Sequence, residues 1–551
     1  MRFEISKTEQ SDAHRSSSNR ARAQWRKDHP KGTRYTGVPT RFASVDGEGT
    51  TMETGEHRYV LLGVGDQHVS NPDGLTWQEC FEFLWSQFKT GSVAYTGFFL
   101  SYDFIQMLRT LAEDRARMLL TAEGRKARTP KSQERHNLFP VRCDGWEFDI
   151  LGTRRLKIRK EGSERWMSIC DTGSFFQKSF LKVIDPAEWS DPVVTPEEYA
   201  TIARGKSNRS TAVLDSDMLA YNRLENEILS RVLCKLNEGF QSLGVSLKPN
   251  QWFGPGQAAQ QWLTGRAPTS KDLNSAVPQD ALLAARASYF GGWFEITAHG
   301  HIPAITYEYD INSAYPYIIS ALPCLMHGEW SHNEQSPGTR YTLVRARVCG
   351  SDPYLGAMLH RDESGNISRP SRTQGWYWRH ELDAAGNAGL VSRAEILESW
   401  SYYPCSCPPP IAEIADLYAK RLAVGKKTPL GMAIKLLINS CYGKFAQSIG
   451  SPKFANPVYA SLITAGCRAI DLNAIASHTG GTRDVLMVAT DGVYFKRRHE
   501  SLALSSRLGD WEETAKQNMC LFKPGVYWDD KARRSITAGE SPVFKARGVS
   551  A

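Results

Sequence analysis

Residues 307–319 read YEYDINSAYPYII, an aromatic and apolar run that ends in Asp310 and then turns through Asn312, Ser313 and Pro316. The pattern predicts a β-strand closed by a turn, with a carboxylate left at the strand end where a metal ion can reach it. Residues 485–495, VLMVATDGVYF, set two apolar β-runs on either side of Thr490, Asp491 and Gly492. A hairpin with an acid at its tip is predicted, and that acid can face Asp310. Between the two lies IKLLINSCYGKF, residues 434–445, in which Lys435, Asn439 and Tyr442 are spaced i, i+4 and i+7. One helical face therefore offers a cation, an amide and an aromatic ring. Taken singly, a strand-terminal Asp usually caps and an Asp-Gly usually turns. Together, two carboxylates so placed can hold a pair of Mg2+ ions about 4 Å apart, with Mn2+ as the alternative, which is the arrangement for nucleotidyl transfer.

Working outward, the first half carries a second acidic set. Asp46 and Glu48 in SVDGEGT, two apart on a predicted strand, point to the same side. Asp103 follows in FFLSYDFIQML, and Tyr221 and Glu225 lie one turn apart on a helix expected over Asp215 to Gly239 from the spacing of Met218, Leu219, Leu224, Ile228, Leu229, Val232 and Leu233. RFASVDGEGT and HRYVLLGVGD read as two strands. Residues 124–140 and 185–209, rich in charge, Pro, Gly and Ser, read as loops or surface insertions. A stretch rich in Gly and Pro, NQWFGPGQ, precedes SYFGGWFE, in which Trp293 and Phe294 read as core.

The three segments of the second half resemble the polymerase motifs of family B DNA polymerases: D-x-x-S-x-Y-P at Asp310 to Pro316, K-x-x-x-N-S-x-Y-G at Lys435 to Gly443, and the T-D of D-T-D at Thr490 and Asp491. The resemblance implies that Asp310 and Asp491 hold the metals and that Tyr315 excludes a ribose 2′-hydroxyl. It makes Lys435 a triphosphate contact and sets Asn439 and Tyr442 against the nascent base pair. LYAKRLAVGKK looks like the preceding finger helix, which makes Arg421, with Lys426 or Lys427, a phosphate grip. Asp46, Glu48, Asp103, Tyr221 and Glu225 resemble the family's 3′→5′ exonuclease motifs, with four metal-binding acids and a tyrosine that orients water. Tyr289, Gly291 and Gly292 resemble the Y-x-G-G segment that contacts template, while Tyr527, Lys545 and Arg547, in KPGVYW and FKARGV, look like primer-holding palm positions. The chain departs from the family at four places: Ala489 replaces the first acid of D-T-D, Phe99 stands where Asn is usual, Glu225 where Asp is usual, and Gly525 where K-x-Y has Lys.

The resemblance implies an α+β protein: an RNase H-like exonuclease domain over 41–240, a linker with the YxGG segment over 241–295, and an antiparallel palm with helical fingers over 296–551; it does not account for residues 1–40, which read from their composition as a basic flexible arm. FKARGVSA resembles the last palm segment before the thumb, so the thumb is expected to be missing or minimal. The expected function is template-directed DNA synthesis with proofreading, in a phage or mobile element, on primer-template DNA and dNTPs. A terminal protein or a separate thumb-supplying polypeptide are possible partners. The alternative is a replication protein derived from such a polymerase that is non-catalytic or keeps only the exonuclease.

Composition agrees with a large globular protein. A net charge of +8 from 67 basic and 59 acidic residues is compatible with a phosphate-rich partner but selects none. The arm, with Arg15, Arg20, Arg22, Arg26, Lys27, Lys31 and Arg34, reads as a solvated tail or a DNA-binding arm. No apolar run approaches the twenty or so residues of a membrane span, and the start has no signal-peptide pattern, so a cytoplasmic location is expected, the host's if the source is viral. The eleven cysteines read as reduced thiols, and Cys405 with Cys407, lacking a second nearby pair, do not by themselves make a zinc site.

Overall fold

The computed structural model describes residues 37–39, 41–89, 91–121, 140–208, 213–334, 339–356, 358–448, 452–537 and 545–546. Nearly all of the basic arm and of the 124–140 segment lie outside them. The chain divides into two compact units, one of residues up to 261 with 424–436, the other of 262–423 with 437–551.

The first unit contains β1 (Arg41–Thr51), β2 (His57–Val64), β3 (Gln67–Ser70), α1 (Trp77–Ser86), β4 (Val93–Gly97), α2 (Ser101–Met107), β5 (Val141–Cys143), β6 (Trp146–Ile150), β7 (Arg155–Lys160), β8 (Met167–Asp171), α3 (Pro196–Ser207) and α4 (Ser216–Gln241). Its eight strands form one sheet in the order β3-β2-β1-β4-β8-β7-β6-β5, in which β1, β4 and β8 run parallel and the remaining pairs antiparallel. Parallel neighbours need covering on both faces, which is why β1 buries nearly every residue and loses clean alternation. Even Ser44 is fully buried, its hydroxyl paired with Ser230 of α4 at 2.9 Å.

α4 begins where its spacing predicts, with the Asp215 side chain accepting from the Met218 N–H, and it buries Ile228, Leu229, Val232, Leu233 and Leu236. The reading of 185–209 as loop is corrected in its second half, which α3 occupies. Thr195 and Glu198 form a reciprocal capping box with Pro196 at the first helical position, so the Pro and acidic residues that look like loop punctuation are a helix start.

The second unit contains β9 (Trp293–Ile296), β10 (Gly300–Ile302), β11 (Thr306–Ile311), α5 (Ala314–Ser320), β12 (Glu329–His332), β13 (Thr342–Gly350), β14 (His360–Arg361), β15 (Ile367–Ser368), β16 (Arg372–Trp378), α6 (Arg379–Asn387), β17 (Val391–Tyr403), α7 (Glu413–Val424), α8 (Pro429–Phe445), whose first half is counted with the other unit, α9 (Pro457–Ser477), β18 (Val485–Thr490), β19 (Gly492–Phe495), β20 (Trp511–Lys516), β21 (Met519–Lys523), β22 (Val526–Trp528) and β23 (Lys545–Ala546). Three sheets order as β20-β11-β19-β18-β9, β12-β17-β13-β16 and β10-β21-β22-β23, antiparallel throughout, beside a small β14-β15 pair. The mixed α+β class expected from the sequence is what forms.

α9 is buried almost all round, as a helix in the middle of a core must be, and its Cys467, Leu472 and Ile475 share a core with Tyr309, Ile311, Val488 and Val493 of the five-stranded sheet. On β9, Trp293 is buried as expected but Phe294 is exposed, because alternation turns it to the opposite face. No helix among the described residues is long and apolar enough to cross a membrane.

The core of the first unit centres on Phe81, which meets Trp77, Trp146 and Phe148 edge-on at 5.5, 5.7 and 5.2 Å between ring centroids. Phe81→Ala is expected to destabilise this unit by about 3–5 kcal/mol, from lost transfer energy plus the cavity left behind. Urea unfolding followed by tryptophan fluorescence measures it; a loss below about 1 kcal/mol contradicts the packing.

Candidate active sites

In the second unit, the antiparallel register sets Asp310 opposite Gly492. The Ile311 N–H donates to the Asp491 carbonyl at 2.9 Å, so the hairpin tip is tied to the end of β11. A Cβ on Gly492 would stand 3.2 Å from Asp310 Oδ1, which brings that carboxylate against the tip. Thr490 has a φ of +67°, a left-handed conformation rare for a β-branched residue and of the kind that clusters at functional sites. The Asp491 N–H bonds the Ala489 carbonyl at 2.9 Å, and Cys467 Sγ on α9 donates to the Thr490 carbonyl at 3.3 Å, clamping this turn. The sequence-predicted pair of Asp310 and Asp491 is thereby brought together.

A third carboxylate lies with them that the sequence reading missed. Asp471 stands one helical turn beyond Cys467 on the same face of α9, is fully buried, and among the described residues neither of its oxygens has a hydrogen-bond partner. Burial first, then the charges of Asp491 and Asp310, push its carboxyl well above the usual carboxylate range. The nearby cation Arg468 is already committed: its Nε and Nη2 bond Glu381 at 2.6 and 2.9 Å, and its Nη1 bonds the Gly291 and Phe290 carbonyls at 2.7 and 3.2 Å. Periodicity marks α9 as apolar and buried, and an acid in such a helix is the signal that could have found Asp471.

Aromatic rings line the same region. Tyr289 and Tyr442 share a hydrogen bond between hydroxyls at 2.7 Å, and the Tyr315 ring lies 4.6 Å from that of Tyr442. Gly292 leaves no room for a side chain, since a Cβ there would come within 2.7 Å of Thr490 Cγ2, whereas Gly291 faces open space. On α8, Lys435 and Asn439 are exposed and Tyr442 half-buried, as the helical spacing requires. Arg421 is half-buried on α7, one turn from Tyr418, whose hydroxyl donates to the Ser506 carbonyl at 3.0 Å.

Tyr527 is corrected: rather than offering a surface to DNA, its ring is fully buried and its hydroxyl shares a bond with Tyr494 at 2.6 Å, which itself donates to Glu308. Lys545 is described only as backbone on β23, paired with Tyr527, and Arg547 lies outside the described residues.

In the first unit, Asp46, Glu48 and Glu225 each present a carboxylate oxygen within 4.8 Å of the others. Asn222 donates to the Asp46 carbonyl at 3.1 Å and to its carboxylate at 3.3 Å, while Tyr221 donates to Glu225. Asp103 lines the same cleft, of about 650 Å³, and accepts from the Tyr59 hydroxyl at 3.0 Å; burial and then the Asp46 charge raise its carboxyl well above the usual range. Phe99 holds a φ of +55° and is half exposed to this cleft, its N–H fastened to Asp171 at 2.9 Å. The sequence reading missed Lys206, whose ammonium pairs with Glu225. It sits on α3, in the stretch read as loop.

Residues 183–455 match the family described as DNA polymerase type B, organellar and viral. That span holds Asp310, Tyr315, Asn439 and Tyr442, with Asp491 and the first three acids of the other centre outside it. A DNA polymerase of Acidianus bottle-shaped virus is 28% identical over 271 residues, covering 44% of this chain and 38% of that relative's length. Phi29 DNA polymerase complexed with primer-template DNA superposes with a TM-score of 0.62 at 13% identity over 93% of both chains. An orthorhombic crystal form of phi29 DNA polymerase gives 0.62 at 14% identity over 89% of this chain and 87% of that one. Over its middle the chain is thus similar in sequence to DNA polymerases of type B, organellar and viral, and over nearly all of its length it shares the fold of phi29 DNA polymerase.

Proposed function

We propose that the chain synthesises DNA on a template by two-metal nucleotidyl transfer at Asp310 and Asp491, and removes 3′-terminal nucleotides at the separate centre of Asp46, Glu48, Asp103 and Glu225. The observation that carries the reading is the meeting of Asp310 and Asp491, which come from segments far apart in the chain, with Asp471 buried behind them. An all-carboxylate donor set suits a hard divalent cation, and a fully buried acid with no hydrogen-bond partner is tolerated beside positive charge. Asp310 and Asp491 would hold Mg2+ or Mn2+, with Asp471 adding a third negative charge in a chain that has Ala489 where its relatives carry an acid. When bound, the ion pair lowers the pKa of the primer 3′-hydroxyl and neutralises the triphosphate.

The protein's own residues do the positioning. Tyr315, backed by Tyr442, presents a ring edge against the sugar, where a 2′-hydroxyl must fit. Asn439 and Tyr442 line the nascent base pair, Tyr289 contacts the template, and Arg421 supplies a guanidinium fork for phosphate. In the first unit, Tyr221 and Lys206 hold the Glu225 carboxylate in one orientation, leaving Asp46 and Glu48 turned toward the cleft.

Asp310→Ala is expected to cut primer extension at least about a hundredfold, the loss of several kcal/mol of transition-state stabilisation, while digestion of single-stranded DNA persists. The double change Asp46→Ala with Glu48→Ala should do the reverse. Extension undiminished in the first variant refutes the polymerase assignment; a wild type that extends but digests nothing with Mg2+ or Mn2+ refutes the nuclease.

Asp471→Asn tests the third acid. The folded state raises this carboxyl above its unfolded value of 3.8, so it holds the proton more tightly than the unfolded chain does. Its contribution to stability is therefore present at acid pH and is lost as pH rises through the folded value. With chelator present, the variant should melt above wild type at pH 8 by roughly 2–4 °C for each kcal/mol relieved, and the gap should close toward pH 4. Extension by the variant should need more Mn2+. A gap that is absent or independent of pH contradicts this role.

A further inference from the structure

The sequence pairs Cys405 with Cys407 and nothing else, yet the fold of the second unit supplies two more ligands from a distant segment. β12 and β17 run antiparallel with Glu329 opposite Tyr403 and Trp330 opposite Tyr402. Continuing that register two steps beyond each strand end brings His327 level with Cys405. The Cys324-x-x-His327 loop that enters β12 and the Cys405-x-Cys407 loop that leaves β17 therefore emerge side by side.

The ligand atoms of all four residues lie within 4.8 Å of one another. His327 Nδ1 is 3.6 Å from Cys324 Sγ and 3.3 Å from Cys407 Sγ. A tetrahedral zinc ion, with Zn–S near 2.3 Å and Zn–N near 2.0–2.1 Å, sets its ligand atoms about 3.5–3.8 Å apart. The observed spacing is thus close to that of a coordination shell, and no disulfide need break to make it, since all three cysteines are free thiols. Three sulfurs and an imidazole select zinc over the hard cations that suit the acidic centres.

We infer that Cys324, His327, Cys405 and Cys407 form a structural Cys3His zinc site, separate from both acidic centres and independent of the activity proposed for them. The supporting groups are in place. The buried Tyr402 hydroxyl donates to the Cys324 carbonyl and accepts from the Gly328 N–H at 3.1 Å, and Tyr459 on α9 donates to the Pro323 carbonyl at 2.7 Å. Each fixes the backbone of the first loop, so the ligands are held before an ion arrives. Binding converts the three thiols to thiolates and releases their protons to solvent, and the imidazole binds as the neutral ring.

The four protein ligands close the shell, which makes the site structural rather than catalytic. Its effect is to cross-link two chain segments separated by the whole β12-to-β17 sheet, just before α7, the helix that carries Tyr418 and Arg421, begins. Closing a loop of that length constrains the unfolded chain more than it strains the folded one.

The full-length chain, purified under reducing conditions from zinc-supplemented medium without an affinity tag, should carry one equivalent of zinc by elemental analysis after gel filtration. Replacement with Co2+ should give the intense visible ligand-field bands and thiolate charge-transfer absorption of a tetrahedral thiolate site. Cys405→Ser with Cys407→Ser should lose the equivalent and the cobalt spectrum, while Cys234→Ser, an exposed cysteine in the other unit, keeps both. Stripping zinc should lower the melting temperature of the wild type and leave that of the double variant unchanged. The proposal is overturned if reduced wild-type protein takes up neither ion, if the double variant retains the metal, or if mass spectrometry finds Cys405 and Cys407 joined as a disulfide in protein that never binds zinc. The wild-type cobalt spectrum decides the matter even if the double variant fails to fold.

Discussion

The second unit is organised around one unfavourable encounter: the pairing of β11 with β19 that forces the Asp310 and Asp491 carboxylates together, against a third at Asp471. Like charges brought into one region repel wherever water is scarce, and the raised Asp471 carboxyl reflects it. Backbone hydrogen bonds of the sheet and the apolar packing of α9 supply the opposing energy, because neither can be relaxed without exposing the core that Tyr309, Val488 and Ile475 share. The strained turn at Thr490 belongs to the same compromise, with an amide and a thiol holding it from both sides.

The buried Arg468 has a different task from the one its position suggests. Standing beside the acids, it would be their natural counter-ion, yet all its bonds go to Glu381 and to the carbonyls of Phe290 and Gly291. A fully buried ion pair contributes little net stability when intact, but removing one partner costs about 3–5 kcal/mol, so the pair is an effective fastener. What it fastens is the glycine segment between Tyr289 and Trp293, which must approach Thr490 too closely for any side chain at Gly292. The acids are therefore left with an excess of negative charge, the electrostatic condition under which divalent cations bind. The centre in the first unit differs: there Lys206, Asn222 and Tyr221 already contact the carboxylates, so its charge is partly answered by the protein itself.

The two kinds of donor set in the chain divide by hardness. Carboxylates come together from a strand, a hairpin tip and helix faces, whereas the sulfur and imidazole ligands gather where two strands enter and leave a sheet, with a tyrosine hydroxyl locking the loop between. An all-carboxylate set suits hard cations that keep open positions, and a set of three sulfurs and an imidazole suits a closed tetrahedral shell.

Much was legible in the sequence because it is written locally. Short apolar runs bounded by turn residues mark β1, β2, β18 and β19, the 3.6-residue spacing marks α4 and α8, and Asp46 with Glu48 or Tyr221 with Glu225 share a face by periodicity alone. The acids at 310 and 491 declare themselves by standing at strand ends. Misreadings arose where composition stood in for geometry: Thr195 and Glu198 form a capping box that opens a helix at Pro196 rather than a loop, and Phe294 turns outward by strand alternation. What only the tertiary structure decided are the encounters between distant segments. Asp471 joins the acids through packing of α9 on a hairpin, Lys206 reaches Glu225 across two helices, Tyr527 disappears beneath Tyr494, and Cys324 with His327 meets Cys405 with Cys407 through the register of two strands. No local pattern encodes these pairings, because each depends on which sheet edge and which helix face the whole chain brings together.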